Sequence, residues 1–187
     1  YLTDIMNLST LYESLKQYKI ELWINNAGIG LMGNVFENPL DKVINMVNLN
    51  VQAVTVLSTL YVKDYKDIEG SQLINVASAA GYIVSPLATT YSATKFYVTS
   101  FTEGLDLESR ANGSKLRAKV LCPAATSTEF IDIATGGEKY DYFQNFSTSE
   151  KVAEQLYELY KSDSTVGIVN FEDSSFKISE PKFTNLY

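Results

Sequence analysis

The chain runs Leu73-Ile74-Asn75-Val76-Ala77-Ser78 and, thirteen residues beyond that serine, Tyr91-Ser92-Ala93-Thr94-Lys95. Leu73 to Ala77 is an apolar run of strand length, which predicts a buried strand. Tyr91 and Lys95 stand four apart, the spacing that places two side chains on one face of a helix. A helix from near Thr89 to the stop signal Asn112-Gly113 carries both in its first turns. Between strand and helix, Ala79 to Leu87, with Gly81 and Pro86, reads as an irregular connection. A buried strand followed by a crossing helix is the building unit of a parallel sheet.

The alternation continues in both directions. Upstream, Ser9 to Tyr18 reads as a helix with Leu8, Leu11, Tyr12 and Leu15 on one face, and Leu22 to Ile24 as a buried strand. Asn38 and Pro39 suit an N-cap and first helical position, opening a helix to about Tyr61. Downstream, Lys115 to Cys122 is a strand closed by Pro123. Ser147-Thr148-Ser149-Glu150 has the pattern of a capping box for a helix to Lys161, and Val166 to Val169 is a further strand. The expected fold is α/β, a Rossmann-like doubly wound parallel sheet forming one domain over residues 1–187. In such sheets ligands bind beyond the carboxyl ends of the strands, here near Asn25, Ser78, Pro123 and Asn170.

The chemistry expected at that rim is proton transfer. A positive charge ~4 Å from a phenol at an effective dielectric of ~20 favours the phenolate by roughly 4 kcal/mol, about three pKa units before desolvation. Lys95 can therefore tune Tyr91, and the Ser78 hydroxyl can hold a reacting oxygen. Spacing alone does not single out this pair, because Tyr12 with Lys16 and Tyr157 with Lys161 repeat it. Tyr91 alone has a serine thirteen residues upstream, at a strand end. Gly28 in Asn26-Ala27-Gly28 would let the backbone approach a ligand closely, with Asn26 tying neighbouring strands.

Composition narrows the class. At 187 residues and 45% hydrophobic content the chain can bury one sizeable core. Its longest apolar stretches fall far short of the ~20 residues of a membrane helix and no leader opens it, so no membrane partner and a cytoplasmic location are expected. The single Cys122 excludes an internal disulfide and reads as a small core residue. With no histidine there is no His-based triad or His metal site, and no metal is expected. A net charge of −7 argues against a nucleic-acid partner.

Five landmarks in order give the chain a family likeness: Asn25-Asn26-Ala27-Gly28, Asn50 in Val-Asn-Leu-Asn-Val-Gln-Ala, Ser78, Tyr91-xxx-Lys95, and Pro123 with Thr128. Over nearly its whole length it resembles the short-chain dehydrogenases/reductases. The resemblance implies Tyr91 as general acid/base, Lys95 binding the nicotinamide ribose and lowering the tyrosine pKa, and Ser78 positioning the substrate carbonyl. Asn50 would support a water in the proton relay. Asn26, Ala27, Gly28, Tyr91, Lys95, Pro123 and Thr128 would meet the cofactor, Thr128 at the nicotinamide carboxamide. The implied cofactor is NAD or NADP, with NADP slightly favoured, and the implied reaction interconverts an alcohol and a ketone or aldehyde.

Segment 129–147, with Phe130, Tyr140, Tyr142, Phe143 and Phe146, would cover a partly apolar small-molecule substrate. The family pairs through two long helices, so a homodimer or higher homo-oligomer is expected. Ala124 replaces the usual glycine after Pro123, which would stiffen or shift that loop. The family's opening strand and glycine-rich turn are not in this sequence, so it is expected to begin mid-domain. A dinucleotide sensor or scaffold on the same fold, or an epimerase or dehydratase of the wider superfamily, is the alternative.

Overall fold

The computed structural model describes residues 2–137, 146–170 and 173–183. Helix α1 (Ile5–Leu15) leads into β1 (Leu22–Asn25). A continuous helical run follows: α2 (Leu40–Val47), a π-helical stretch over Asn48–Ala53, and α3 (Val54–Tyr65). Then come β2 (Gln72–Val76), a 3₁₀ turn at Ala79–Gly81, α4 (Thr89–Ala111), β3 (Arg117–Cys122), α5 (Glu129–Thr135), α6 (Ser149–Lys161), β4 (Val166–Val169) and β5 (Phe176–Ser179).

The five strands form one sheet in chain order, β1 to β4 parallel and β5 antiparallel to β4. Alternation along each strand sends side chains to opposite faces. Leu73, Ala118, Val120 and Cys122 meet Leu8, Tyr12, Leu57, Tyr61 and Val98 from α1, α3 and α4. Ile74 and Leu121 point the other way, onto Leu159 of α6 with Val152 and Leu156 beside it. Leu73, Ile74 and Leu121 have no solvent exposure, and each such side chain stabilises the fold by roughly 1.5–3 kcal/mol.

Lys119 lies among these apolar side chains and is 2% exposed. Its ammonium donates to the carbonyls of Leu159, Tyr160 and Ser162, closing the C-terminus of α6 where the helix dipole favours a cation. Burial draws its pKa down to about 8.

Several local expectations need correction. α1 starts four residues before Ser9, and Leu11 is 41% exposed because only Leu8 and Tyr12 turn fully inward. Among the described residues β1 pairs with β2 alone, and it is half-buried rather than buried, with Ile24 at 40% exposure. Pro39 rather than Asn38 holds the N-cap position of α2, with no side-chain cap bond. The cap of α6 is Thr148, whose hydroxyl accepts from Lys151 N; the pattern beginning at Ser147 is displaced by one residue.

The helical run Leu40–Tyr65 also corrects the expectation about apolar length, being 26 residues and apolar enough to cross a membrane by composition. Met46, Ala53, Val54, Leu57 and Tyr61 are its buried side. Val54 and Leu57 thus belong to the core, whereas Phe101 and Leu105 are half-buried.

Candidate active site

The carboxyl ends of β1, β2, β3 and β4 open onto one cavity of about 1170 Å³. Asn26, Ser78, Pro123 and Asn170 line it from the four strand ends, and Tyr91 and Lys95 from the first two turns of α4. Ala27, Gly28 and Thr128 also face it. Asn50 does not line the cavity; it is 1% exposed, just behind the wall. Eight of the nine expected site residues therefore share one space, and the ninth supports it.

Ser78 leaves β2 in extended conformation and caps the 3₁₀ turn, its hydroxyl accepting from Ala80 N at 3.1 Å. Gly81 lets that turn lie on α4: a Cβ there would sit 2.8 Å from the Lys95 carbonyl oxygen and 2.7 Å from Thr99 Cγ2. The Thr99 hydroxyl donates to Gly81 O at 3.0 Å. This close approach sets Ser78 against the helix that carries Tyr91.

Burial pushes the Tyr91 phenol up to about 12, while a hydrogen bond with Ser78 pulls the other way. The expected lowering by Lys95 does not prevail. Its ammonium lies 5.8 Å from the Tyr91 ring centroid and donates to Val76 O at 3.2 Å. Lys95 is itself 5% exposed, and burial draws its pKa down to about 8. Cys122 is fully buried behind these groups, with its thiol pushed up by burial, as suits a core residue.

Asn50 sits in the π-helical stretch, a distortion often found at functional sites. Its side-chain oxygen accepts from Ile29 N at 3.0 Å, and its amide donates to Ile29 O at 2.9 Å and Thr94 Oγ1 at 3.1 Å. Thr94 in turn donates to Tyr91 O at 2.7 Å. Asn50 thus clamps the loop after β1 to the turn that presents Tyr91. A Cβ at Gly28 would lie 3.3 Å from Asn50 Oδ1 and 3.4 Å from Lys95 Nζ, so the backbone passes close to both.

The strand-tying role expected of Asn26 falls to Asn25. Its amide donates to Asn75 Oδ1 at 2.8 Å and Ser58 Oγ at 3.0 Å, and Asn75 donates to Thr102 Oγ1 at 2.9 Å. Asn75, a poor strand former inside an apolar run, was the available signal for this network. Thr128 caps α5, accepting from Phe130 N at 3.3 Å. α5 falls within the segment expected to cover the substrate; Tyr140, Tyr142 and Phe143 lie outside the described residues.

These donors fit the nicotinamide-ribose end of a dinucleotide: an ammonium, amide and hydroxyl groups, and a strand-end loop kept free of side-chain bulk at Gly28. The short chain dehydrogenase family model matches residues 2–136. Human dehydrogenase/reductase SDR family member 11 is 30% identical over 131 residues, covering 68% of this chain and 50% of its own length.

A Sphingobium yanoikuyae short-chain dehydrogenase in complex with NADPH superposes with a TM-score of 0.76 at 23% identity, over 90% of this chain and 64% of that one. A Brucella melitensis 3-ketoacyl-(acyl-carrier-protein) reductase complexed with NADH gives 0.75 at 22%, over 90% and 73%. The two solved structures share the fold. The chain spans about half the length of the curated relatives it matches. It belongs to the short-chain dehydrogenase family.

Proposed function

We propose that this short-chain dehydrogenase interconverts an alcohol and a ketone or aldehyde, with NAD or NADP as cofactor and NADP slightly favoured. The observation that carries the reading is the meeting of Ser78, Tyr91 and Lys95 at the strand-end cavity. A bound nicotinamide dinucleotide would supply or accept the hydride. Lys95, Asn26, Ala27, Gly28, Pro123 and Thr128 are the residues that would hold it, and the complexes of the two structural neighbours support either dinucleotide.

Tyr91, held protonated through neutral pH by burial, would donate its phenolic proton to the carbonyl oxygen during reduction and recover it in the reverse direction. Ser78 would hold that oxygen by a hydrogen bond. Asn50 would fix the loop carrying Gly28 and support the proton relay. The low pKa of Lys95 would let it share its proton with the relay near neutral pH.

Oxidation of NADH and NADPH against a panel of ketones and aldehydes tests the reading. In the full-length protein, turnover is expected to be lost in Tyr91→Phe while dinucleotide affinity stays within about threefold, since the phenyl ring keeps its place. Full turnover in that variant would remove Tyr91 as the acid. Dinucleotide binding without turnover in the unaltered protein would favour a sensor.

A further inference from the structure

We propose that the chain beyond β5 sets the position of Ser78 from outside the cavity: Lys182 and Phe183 dock on Glu103 and Tyr82, which act as positioning residues for the connection carrying the serine. The inference rests on the carbonyl reading, because the oxygen that Ser78 would place is the substrate carbonyl of that reading. It concerns a segment outside residues 2–136, the span that the family model matches.

Glu103 stands just over two turns beyond Lys95 in α4, ~12 Å further along the axis at about 1.5 Å per residue. It is 1% exposed, and none of Tyr82, Glu103, Lys182 and Phe183 lines the cavity. One carboxylate oxygen of Glu103 accepts from Lys182 N at 2.6 Å and Phe183 N at 2.9 Å, and the other accepts from the Tyr82 hydroxyl. Hydrogen bonds to an ionised acceptor are about twice as strong as neutral ones, so this buried carboxylate fixes segment and tyrosine together. The Phe183 ring stacks on Tyr82, 5.3 Å between centroids and 28° between planes. The Lys182 ammonium lies 5.7 Å from the centre of the same ring.

Tyr82 also ends the turn that Ser78 opens. Gly81 N donates to Ser78 O at 2.8 Å, Tyr82 N to Ala79 O at 3.2 Å, and Ala79 N to Pro123 O at 2.9 Å. Past Tyr82 the connection turns outward: Ile83 and Val84 are 42% and 79% exposed, and Ile83 and Ser85 line the cavity. A displacement of the Tyr82 ring is therefore carried through one short turn to Ser78. Lys182 and Phe183 lie past β5 and outside the parallel ladder, so they can leave without parting a parallel strand pair.

Phe183→Ala removes the ring stack from a residue that is 39% exposed, and Phe183→Tyr keeps it. Hydrogen–deuterium exchange of the full-length protein, without ligand, is read over residues 79–84 and over β2. Phe183→Ala is expected to speed exchange over 79–84 by about tenfold, the loss of one ring stack, and to leave β2 unchanged. Reduction of benzaldehyde and cyclohexanone by NADPH supplies the kinetic reading. There kcat/KM should fall about fivefold or more in Phe183→Ala while the Kd of NADPH stays within about twofold. Phe183→Tyr should restore both the exchange rate and kcat/KM.

Unchanged exchange over 79–84 in Phe183→Ala, or faster exchange with unchanged kcat/KM, would overturn the positioning and keep the carbonyl reading. Faster exchange over 79–84 in Phe183→Ala, where the unaltered protein reduces no carbonyl, would overturn that reading and keep the tie between this segment and the Ser78 turn.

Discussion

Lys95 lies 5.8 Å from the centre of the Tyr91 ring, aimed at Val76 O. An ammonium ~4 Å from the phenolic oxygen could lower its pKa by about three units, but burial can raise it by up to ~3–5, and here burial prevails. Tyr91 at about 12 and Lys95 at about 8 give distinct pH signatures. If the carbonyl reading holds, reduction should keep its rate up to about pH 8 and decline above it as Lys95 loses its proton, Tyr91 being still protonated. A kcat/KM profile flat well beyond pH 8 would remove Lys95 from that role.

Tyr12 and Tyr157 show why spacing cannot identify such a pair. Their lysines lie 5.5 Å and 4.4 Å from the ring centroids, as close as Lys95 to Tyr91. Tyr12 is buried in the core with its hydroxyl on Asp64, and Tyr157 is 56% exposed. The serine at a strand end, legible in the sequence, was the discriminating feature. The approach of Gly81 to the backbone of Lys95 was not, since a glycine in a connection looks the same with or without a neighbour. Gly81→Ala is expected to cost about 1–3 kcal/mol in denaturant unfolding and to raise KM by moving Ser78.

Elements with strong local signals are the ones the sequence delimits well. α4 begins at Thr89 and ends before Asn112-Gly113, and β4 spans Val166–Val169, as the patterns predict. The π-helical stretch was illegible because Asn48–Ala53 has the composition of ordinary helix; its register is set by Asn50 reaching Ile29. α5 is 7 residues long, under two turns and too short for a helical period to show.

Charged residues inside helices carry a similar lesson, for Glu103 in α4 is 1% exposed. Its carboxylate accepts from the Tyr82 hydroxyl and from Lys182 N and Phe183 N, at 2.6 and 2.9 Å. Phe183 also stacks on Tyr82, 5.3 Å between centroids, so this one side chain joins α4, the connection after Ser78 and the chain beyond β5. Glu103→Ala would leave the Tyr82 hydroxyl and two backbone N–H groups without their acceptor and should cost about 1–3 kcal/mol by chemical denaturation, with Glu103→Gln recovering part. A loss no larger than that of an exposed site such as Glu108→Ala would refute the anchor.

At the scale of the whole molecule, buried titratable groups on both faces of the sheet combine into a pH dependence of stability. Lys95 and Lys119 have folded pKa values of about 8, below the ordinary 10.5. Below pH 8 both folded and unfolded chains hold these protons, and the cost of burying the charges is present in full. As pH rises from about 8 towards 10.5 the unfolded chain binds more protons than the folded one, so stability rises. Cys122 acts oppositely, its thiol pushed above the ordinary 9.0 by burial, and Tyr91 likewise above 10.0. Above about pH 9 the unfolded chain begins to release protons that the folded chain keeps, which offsets the lysines. The urea midpoint should therefore climb between about pH 8 and 9, then level and fall. Lys119→Met, remote from the cavity, should reduce the climb by removing one of its two lysine sources. A midpoint that falls steadily from pH 8 in the unaltered protein would show that the buried lysines do not govern this window.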